Sequence, residues 1–578
     1  MTQPTPAIVP QSAVRRLPRI ALWLFCAAYV LPGLFGREPW KGNEFTAFAH
    51  MLALANGTSD WFNPTVFGQL PELDALLPYW LGAWAIQISP SWISAGLASR
   101  LPFSVLLGIT LASTWHAAYY LALSPQAQPV PFAFGGEAKP KDYARTIADG
   151  AVLGLIACLG LALLSHESSP LLAQLAFLSL AFYGTAALSY HPKYSLSALV
   201  VGFVGLTLSG APTYALLLSI GSAFICLFDS KAGDKHQRYL QAAWLLGMSI
   251  CISLLATLLD LWHWRVLPQL NDWSIWKYRL SLLSWFSWPV WPLALWSIWT
   301  WRRQWTTWGW SRHLILPLWC SLLGIAIAFS TKSPDRTLLI TLPALATLAA
   351  FALPTLRRSI ASLIDWFTLL FFSASMFIIW TIWIAIQTGW PAKPARNVAS
   401  LAEGFQAHFQ WLPFVIALIG TVAWAWLVRW RVGRHQHALW KSFVLPAGGT
   451  AVCWLLLMTL WLPLLNFARS YTTWVGQIKS VMQEHDRNDI TCVMSIGLNT
   501  GQLTAFQYYG DLNMKPLHDA YEKRPSNCEW LIVSQEDAPN VSNIVKGYGW
   551  LRIRNLPRPA EKSEQITLYF KRYSNTPQ

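Results

Sequence analysis

Charge is the first thing this chain lacks. Only 12% of its 578 residues are Asp, Glu, Lys or Arg, about half the share near 25% of an ordinary soluble chain. With 54% hydrophobic residues, that scarcity excludes a soluble enzyme and a disordered chain alike. Familiar chemical motifs are missing too. No His, Cys, Asp or Glu cluster has metal-ligand spacing, no glycine-rich loop is built to cradle a phosphate, and there is no nucleophile elbow. No internal repeat divides the chain into two transporter-like halves. Cysteine is sparse: six of the eight, Cys26, Cys158, Cys226, Cys251, Cys320 and Cys453, sit in apolar runs as small hydrophobes. The other two, Cys492 and Cys528, lie in a polar tail, where an oxidising compartment would allow them to pair.

What the chain has in abundance is long apolar runs and tryptophan, 36 in all. Runs longer than about 18 residues point to a polytopic membrane protein, and indole favours the membrane–water interface. Thirteen spans are expected, at about 19–36, 99–122, 148–165, 170–189, 195–211, 212–228, 239–261, 282–300, 313–330, 337–355, 359–387, 412–428 and 441–463. A further run, 76–98, is interrupted by Gln87, Ser89 and Pro90, and reads as a short helix in an outside loop. Arg15, Arg16 and Arg19 precede the first run, and no small-residue cleavage site follows it. This is the pattern of a retained signal anchor with its N-terminus (1–18) cytoplasmic.

The distribution of bases supports that layout. With thirteen spans, the inside segments hold 19 Lys and Arg and the outside segments before the tail hold 10. Counting 76–98 as a crossing would flip every later loop and reverse the bias. The net charge of +15 is thus assigned to the cytoplasmic face of a membrane protein, with no nucleic acid involved. The expected organisation is an all-α transmembrane domain, 19–465, carrying an outside loop at 37–98, then a small α/β domain at 466–578. In that tail, β-like runs at 490–496, 530–533, 550–553 and 566–570 and a helix-like segment at 503–509 are separated by turn formers.

Acids are scarce enough to place individually. Glu38, Glu44, Asp60, Glu72 and Asp74 all fall in the first outside loop, much the longest before the tail. On the same expected side lie Arg100 at the start of the second span, His166-Glu167 after the third, Asp272, Lys277 and Arg279 in a later loop, and Lys332, Asp335 and Arg336 between the ninth and tenth spans. Bases that hold a phosphate beside a carboxylate that takes a proton from a hydroxyl would suit an enzyme acting on a lipid-linked phosphate. Each residue also has a plainer role. Glu44 could cap a surface helix, and Arg100 could be an interfacial snorkelling residue. His166-Glu167 could be a solvated loop tip, and Asp335-Arg336 a surface ion pair.

Four stretches bring a family into view: Asn43-Glu44, Leu77-Pro78-Tyr79-Trp80, Ala98-Ser99-Arg100-Leu101-Pro102, and Phe329 through Arg336 followed by Leu342-Pro343-Ala344-Leu345. In that order they resemble motifs of the GT-C glycosyltransferases that use polyprenyl-phosphate sugars. The family most resembled is the lipid A aminoarabinose transferases (glycosyltransferase family 83), relatives of the protein O-mannosyltransferases. The resemblance spans the membrane region and is loose in the tail. Two positions depart from it: Asn43 stands where the family has an aspartate, and the family's lysine falls near Leu73-Asp74, where this chain has none.

The resemblance implies a GT-C fold of about thirteen transmembrane helices with an outside C-terminal domain, in a bacterial inner membrane. It implies an inverting transferase whose donor is a sugar on undecaprenyl phosphate and whose acceptor, such as lipid A, another envelope glycan or a protein, faces the periplasm. Glu44 would be the base, with Glu167 and Asp74 as alternatives beside Asn43. Arg100, with Lys332 and Arg336, would hold the phosphate. Some members bind a divalent metal near the loop carboxylates; His166 with Glu72 or Glu167 would be the ligands here, although no spacing demands a metal. A lipid-linked-sugar flippase and a catalytically degenerate scaffold are the competing classes.

Overall fold

The computed structural model describes residues 5–71, 73–228, 235–262, 273–304, 311–331, 334–433, 439–485, 492–517, 528–536 and 549–571. Glu72, Asp272 and Lys332 lie outside these residues. The chain divides into two compact units.

The first unit comprises 1–35, 72–379 and 411–460, and its regular elements are helices. Eight helices are long and apolar enough to cross a membrane: Ala95–Leu123, Pro170–Ala187, Lys235–Leu258, Arg312–Ser330, Pro334–Thr355, Arg358–Thr388, Trp411–Arg431 and Leu439–Leu460. Three shorter apolar helices, Arg19–Val30, Pro192–Leu208 and Pro212–Phe228, accompany them. The protein is therefore a multi-pass membrane protein. Several of its helices open on proline, among them those at Pro140, Pro170 and Pro192, where the missing N–H would have had no intrahelical partner. Buried hydroxyls turn back onto their own helix: Thr110 donates to the Leu106 carbonyl at 2.9 Å, Ser179 to Leu175 at 2.7 Å and Thr207 to Phe203 at 2.8 Å. That satisfies polar groups without water. Small residues bring helices close; a Cβ on Gly202 would lie 2.7 Å from the backbone nitrogen of Ala181.

Several expected spans differ in detail; the first, expected at 19–36, is helical only over Arg19–Val30. The span expected at 148–165 is a helix from Pro140 to Ala157, broken before a short turn at Leu161–Leu164. Its first turns carry Lys141, Asp142 and Arg145, which hide them from a hydropathy reading. The span expected at 282–300 is two helices, Trp273–Phe286 and Val290–Thr300, split at Ser287-Trp288-Pro289. The ambiguous run at 76–98 forms a 12-residue helix, Leu77–Ile88, about 18 Å long.

The second unit gathers 36–71, 380–410 and 461–578. Its sheet runs β2-β1-β3-β5-β4, with β1 (Val493–Ile496), β2 (Met514–Leu517), β3 (Trp530–Ser534), β4 (Leu551–Arg558) and β5 (Glu561–Phe570). β1 pairs in parallel with β2 and β3; β5 runs antiparallel to β3 and β4. The helix Thr500–Gly510 makes the β1–β2 crossover that a parallel pair requires. Met494, Ile496, Leu531, Val533 and Trp550 pack into one apolar cluster with Cys492 and Cys528. These two cysteines form a disulfide with Cα atoms 5.2 Å apart. β2 was not legible in the sequence: it carries Pro516, which a sheet tolerates at an edge, the position β2 holds.

Candidate functional site

In the second unit the expected base, Glu44, lies in the first turn of the helix Asn43–Ala55, where the helix dipole favours a carboxylate. Its Oε2 accepts from the Trp40 backbone N–H at 3.3 Å and from the Arg37 guanidinium. Arg37 and Glu44 form an ion pair whose side chains are 0% and 2% exposed. The same guanidinium stacks over the Trp40 ring, 4.2 Å from its centroid, and Arg469 approaches that ring at 5.3 Å. Trp40 Nε1 donates to Asn466 Oδ1 at 3.0 Å, and Asn466 Nδ2 donates to the Gly36 carbonyl at 2.9 Å. Asn43 opens the helix, half-buried beside Glu44.

The loop is fastened to the sheet domain by further polar contacts. The Lys41 ammonium bridges Glu561 and Glu564, and Arg558 holds Glu564 at 2.8 Å. Burial, with Arg558 nearby, pulls the Lys41 pKa below the usual lysine value. Phe45 packs edge-on to Tyr471 at 5.2 Å and Phe48 to Tyr508 at 5.2 Å. His50, on the same helix, is fully buried, and burial pushes its pKa down to about 4.

In the first unit Arg100 and His166 line one cavity of about 10 Å³, together with Gly33, Leu34 and Ser165, room for about one water. Arg100 is 3% exposed, and its Nη1 donates to the Leu34 carbonyl at 3.2 Å. His166 is a brace: Nδ1 lies 2.6 Å from the Ala162 carbonyl and Nε2 lies 2.8 Å from the Tyr29 carbonyl. Its ring packs on Trp454 at 4.5 Å. Nδ1 also lies 3.2 Å from the Ser165 hydroxyl, so both ring nitrogens are engaged within the protein. Among the described residues no three His, Cys, Asp or Glu side chains gather as a metal site. Glu167 pairs with Arg336 at 3.7 Å, longer than a charge-assisted hydrogen bond of about 2.7–2.9 Å.

A second, larger cavity of this unit, about 360 Å³, is lined by Asp74 among others. Other polar groups line it, among them Gln174, Thr213, Ser330, Thr331 and Thr337, alongside Leu171, Leu217, Leu323, Ile327 and Ile340. Thr337 directly follows Arg336. The Asp74 segment is pinned by the Leu76 N–H, which donates to the Leu208 carbonyl at 2.8 Å. It is pinned also by close approach to Gly210, which has φ +83°; a Cβ there would lie 3.0 Å from the Asp74 carbonyl oxygen. Gln174 Nε2 donates to the Ser209 carbonyl at 2.8 Å and so fixes that turn.

The structure thus joins Arg100 with His166 and Glu167 with Arg336 inside one unit, and gives Asp74 a cavity of its own. Asn43 and Glu44 belong to the other unit. Sequence reasoning missed Arg37, Trp40, Asn466 and Gln174. The first two left a signal, an Arg and a Trp three residues apart with an acid four residues further on; Gln174 left none that a single sequence reveals. Gly210 lies in Ser209-Gly210-Ala211-Pro212, which resembles the family's Thr-Lys-Gly-Pro without its lysine.

The mostly helical, polytopic architecture with a small C-terminal sheet domain matches a solved structure of GT-C fold along its whole length. The individual likeness is to ArnT from Cupriavidus metallidurans. Its crystal structure in the apo state matches with a TM-score of 0.55 and 14% identity, over 95% of this chain and 96% of that one. Its crystal structure bound to undecaprenyl phosphate matches with a TM-score of 0.56 and 13% identity, over 97% of this chain and 98% of that one. At such identity the fold is what is shared. No protein-family profile matches the chain, and no curated protein matches it by sequence.

Proposed function

We propose that this protein is a glycosyltransferase of the bacterial inner membrane, which moves a sugar from undecaprenyl phosphate to a periplasm-facing acceptor such as lipid A. The observation that carries the reading is the cavity of about 360 Å³ whose largely apolar lining includes Asp74, in a fold shared with a protein crystallised with undecaprenyl phosphate. Apolar walls suit a polyprenyl chain. A carboxylate among the lining residues suits proton removal from an acceptor hydroxyl.

In the proposed step, the acceptor oxygen forms a bond to the anomeric carbon while the bond from that carbon to the phosphate oxygen breaks. The hydroxyl proton passes to Asp74, and the electron pair leaves on undecaprenyl phosphate. Arg336, loosely held by Glu167, turns to the phosphate and stabilises its charge. Lys332 joins it in this reading. Glu44 is already neutralised by Arg37 and holds the loop in place, so the base role passes to Asp74. Arg100 secures the end of the first helix and supports the phosphate side from there. Asn43 takes no proton.

The test is release of undecaprenyl phosphate by the purified full-length protein in lipid, given a lipid-linked aminoarabinose donor and lipid A. Asp74→Asn is expected to lower turnover about 10²–10⁴-fold, and Arg336→Ala to weaken donor binding as well. Full turnover by Asp74→Asn would remove the residue from the mechanism. Donor moved across the bilayer without being consumed would point to a flippase. Inactivity with every lipid-linked sugar tried would point to a scaffold.

A further inference from the structure

The ten-residue helix Ala392–Leu401 has no buried residue. It lies between two membrane-spanning helices, which end at Thr388 and begin at Trp411. A segment tied at both ends to spans has its ends at the membrane surface. Its residues sort by helical spacing. Lys393, Arg396, Asn397 and Ser400 stand at i, i+3, i+4 and i+7 and share one exposed face. Ala395 and Val398, on the opposite side, are half-buried, and the following Ala402 is buried. Trp390, Leu401 and Trp411 leave 73%, 71% and 73% of their surface open. Exposed indole beside exposed bases is the composition of a headgroup-level surface.

The bases have no internal use. Neither Lys393 nor Arg396 pairs with an acid among the described residues; Arg396 Nε reaches only the Ala392 carbonyl, at 3.4 Å. The acid of this segment, Glu403, is occupied by Lys562 at 3.3 Å. Two uncompensated cations on a tethered interfacial helix complement phosphate-bearing headgroups. We infer that the Ala392–Leu401 helix is a lipid-binding surface, which selects anionic phospholipid headgroups through Lys393 and Arg396.

The test places the photocrosslinker p-benzoylphenylalanine at the exposed boundary position, Leu401→p-benzoylphenylalanine, in the full-length protein. The vesicles hold three parts phosphatidylethanolamine to one part phosphatidylglycerol, and lipid adducts are counted by mass spectrometry. Phosphatidylglycerol adducts are expected at about five-fold or more above the bulk ratio. Lys393→Gln with Arg396→Gln should return them to the bulk ratio, and Lys393→Arg should not. Adducts at the bulk ratio in the native sequence, or no lipid adducts at all, would overturn the inference. No sugar donor is present, so the result does not depend on the proposed reaction.

Discussion

Arg37 and Glu44, seven positions apart, form an ion pair closed to solvent on both sides, with Trp40 between them in sequence and stacked on the guanidinium. The arrangement fixes the entry to the Asn43–Ala55 helix. It predicts an asymmetry between single and double substitutions. Removing one partner leaves a buried, unmatched charge, so Arg37→Met alone should destabilise the second unit by about 3–5 kcal/mol. Arg37→Met with Glu44→Leu removes both charges and should recover most of that loss. Hydrogen exchange across residues 43–55 reads the difference. If Arg37→Met leaves exchange unchanged while Glu44→Gln abolishes sugar transfer, the carboxylate is catalytic and the pair is not a brace.

His50 makes the same segment sensitive to acid. Burial holds the imidazole neutral in the fold, with its pKa near 4 against 6.5 for the free group. Between these values the unfolded chain binds more protons than the folded one. Stability therefore falls as pH drops from about 6.5 towards 4, at up to about 1.4 kcal/mol per pH unit. Above about 6.5 both states are neutral, and the dependence vanishes. His50→Leu should flatten the profile in that window. A profile identical to the parent's would assign the acid sensitivity to other groups.

Much of the fold could be read from the sequence because span length is set by the bilayer itself. The run at 359–387 is the helix Arg358–Thr388, and the run at 412–428 is the helix Trp411–Val432. What escaped were features fixed by tertiary context: β2, whose Pro516 argues against a strand until its edge position is known, and the helix start at Pro140, masked by charged residues. The candidate site was less legible. The loop acids stood out because acids are rare. Yet whether Glu44 faces substrate or an arginine depends on Arg37 being folded back over Trp40. For His166 the resemblance implied a metal ligand and the residues themselves a loop tip; its two carbonyl neighbours are those of Tyr29 and Ala162, and the first of these is distant in sequence.

The Cys492–Cys528 disulfide ties the residue before β1 to the start of the β3 segment across a sequence separation of 36. Closing a loop of that length restricts the unfolded chain by about 4 kcal/mol in the loop-entropy account. Reduction, or Cys492→Ser with Cys528→Ser, should lower the unfolding midpoint of the sheet domain in the full-length protein. Protease cleavage of the tail with and without reductant measures it. Equal cleavage rates would show that the sheet holds without the covalent link.

Gly210 separates position from chemistry at the cavity. Its φ of +83° and the 3.0 Å approach to the Asp74 carbonyl oxygen leave no room for a side chain. Gly210→Ala must therefore shift either its own turn or the Asp74 segment, at a cost of about 1–2 kcal/mol. The global fold should survive, because Leu76 and Gln174 still hold the neighbouring backbone. If Asp74 is the base, displacing it by a fraction of an ångström should reduce kcat by about ten- to a hundred-fold, with little change in the donor KM. A rise in KM at constant kcat would instead make the turn part of the lipid groove and leave proton transfer to another carboxylate.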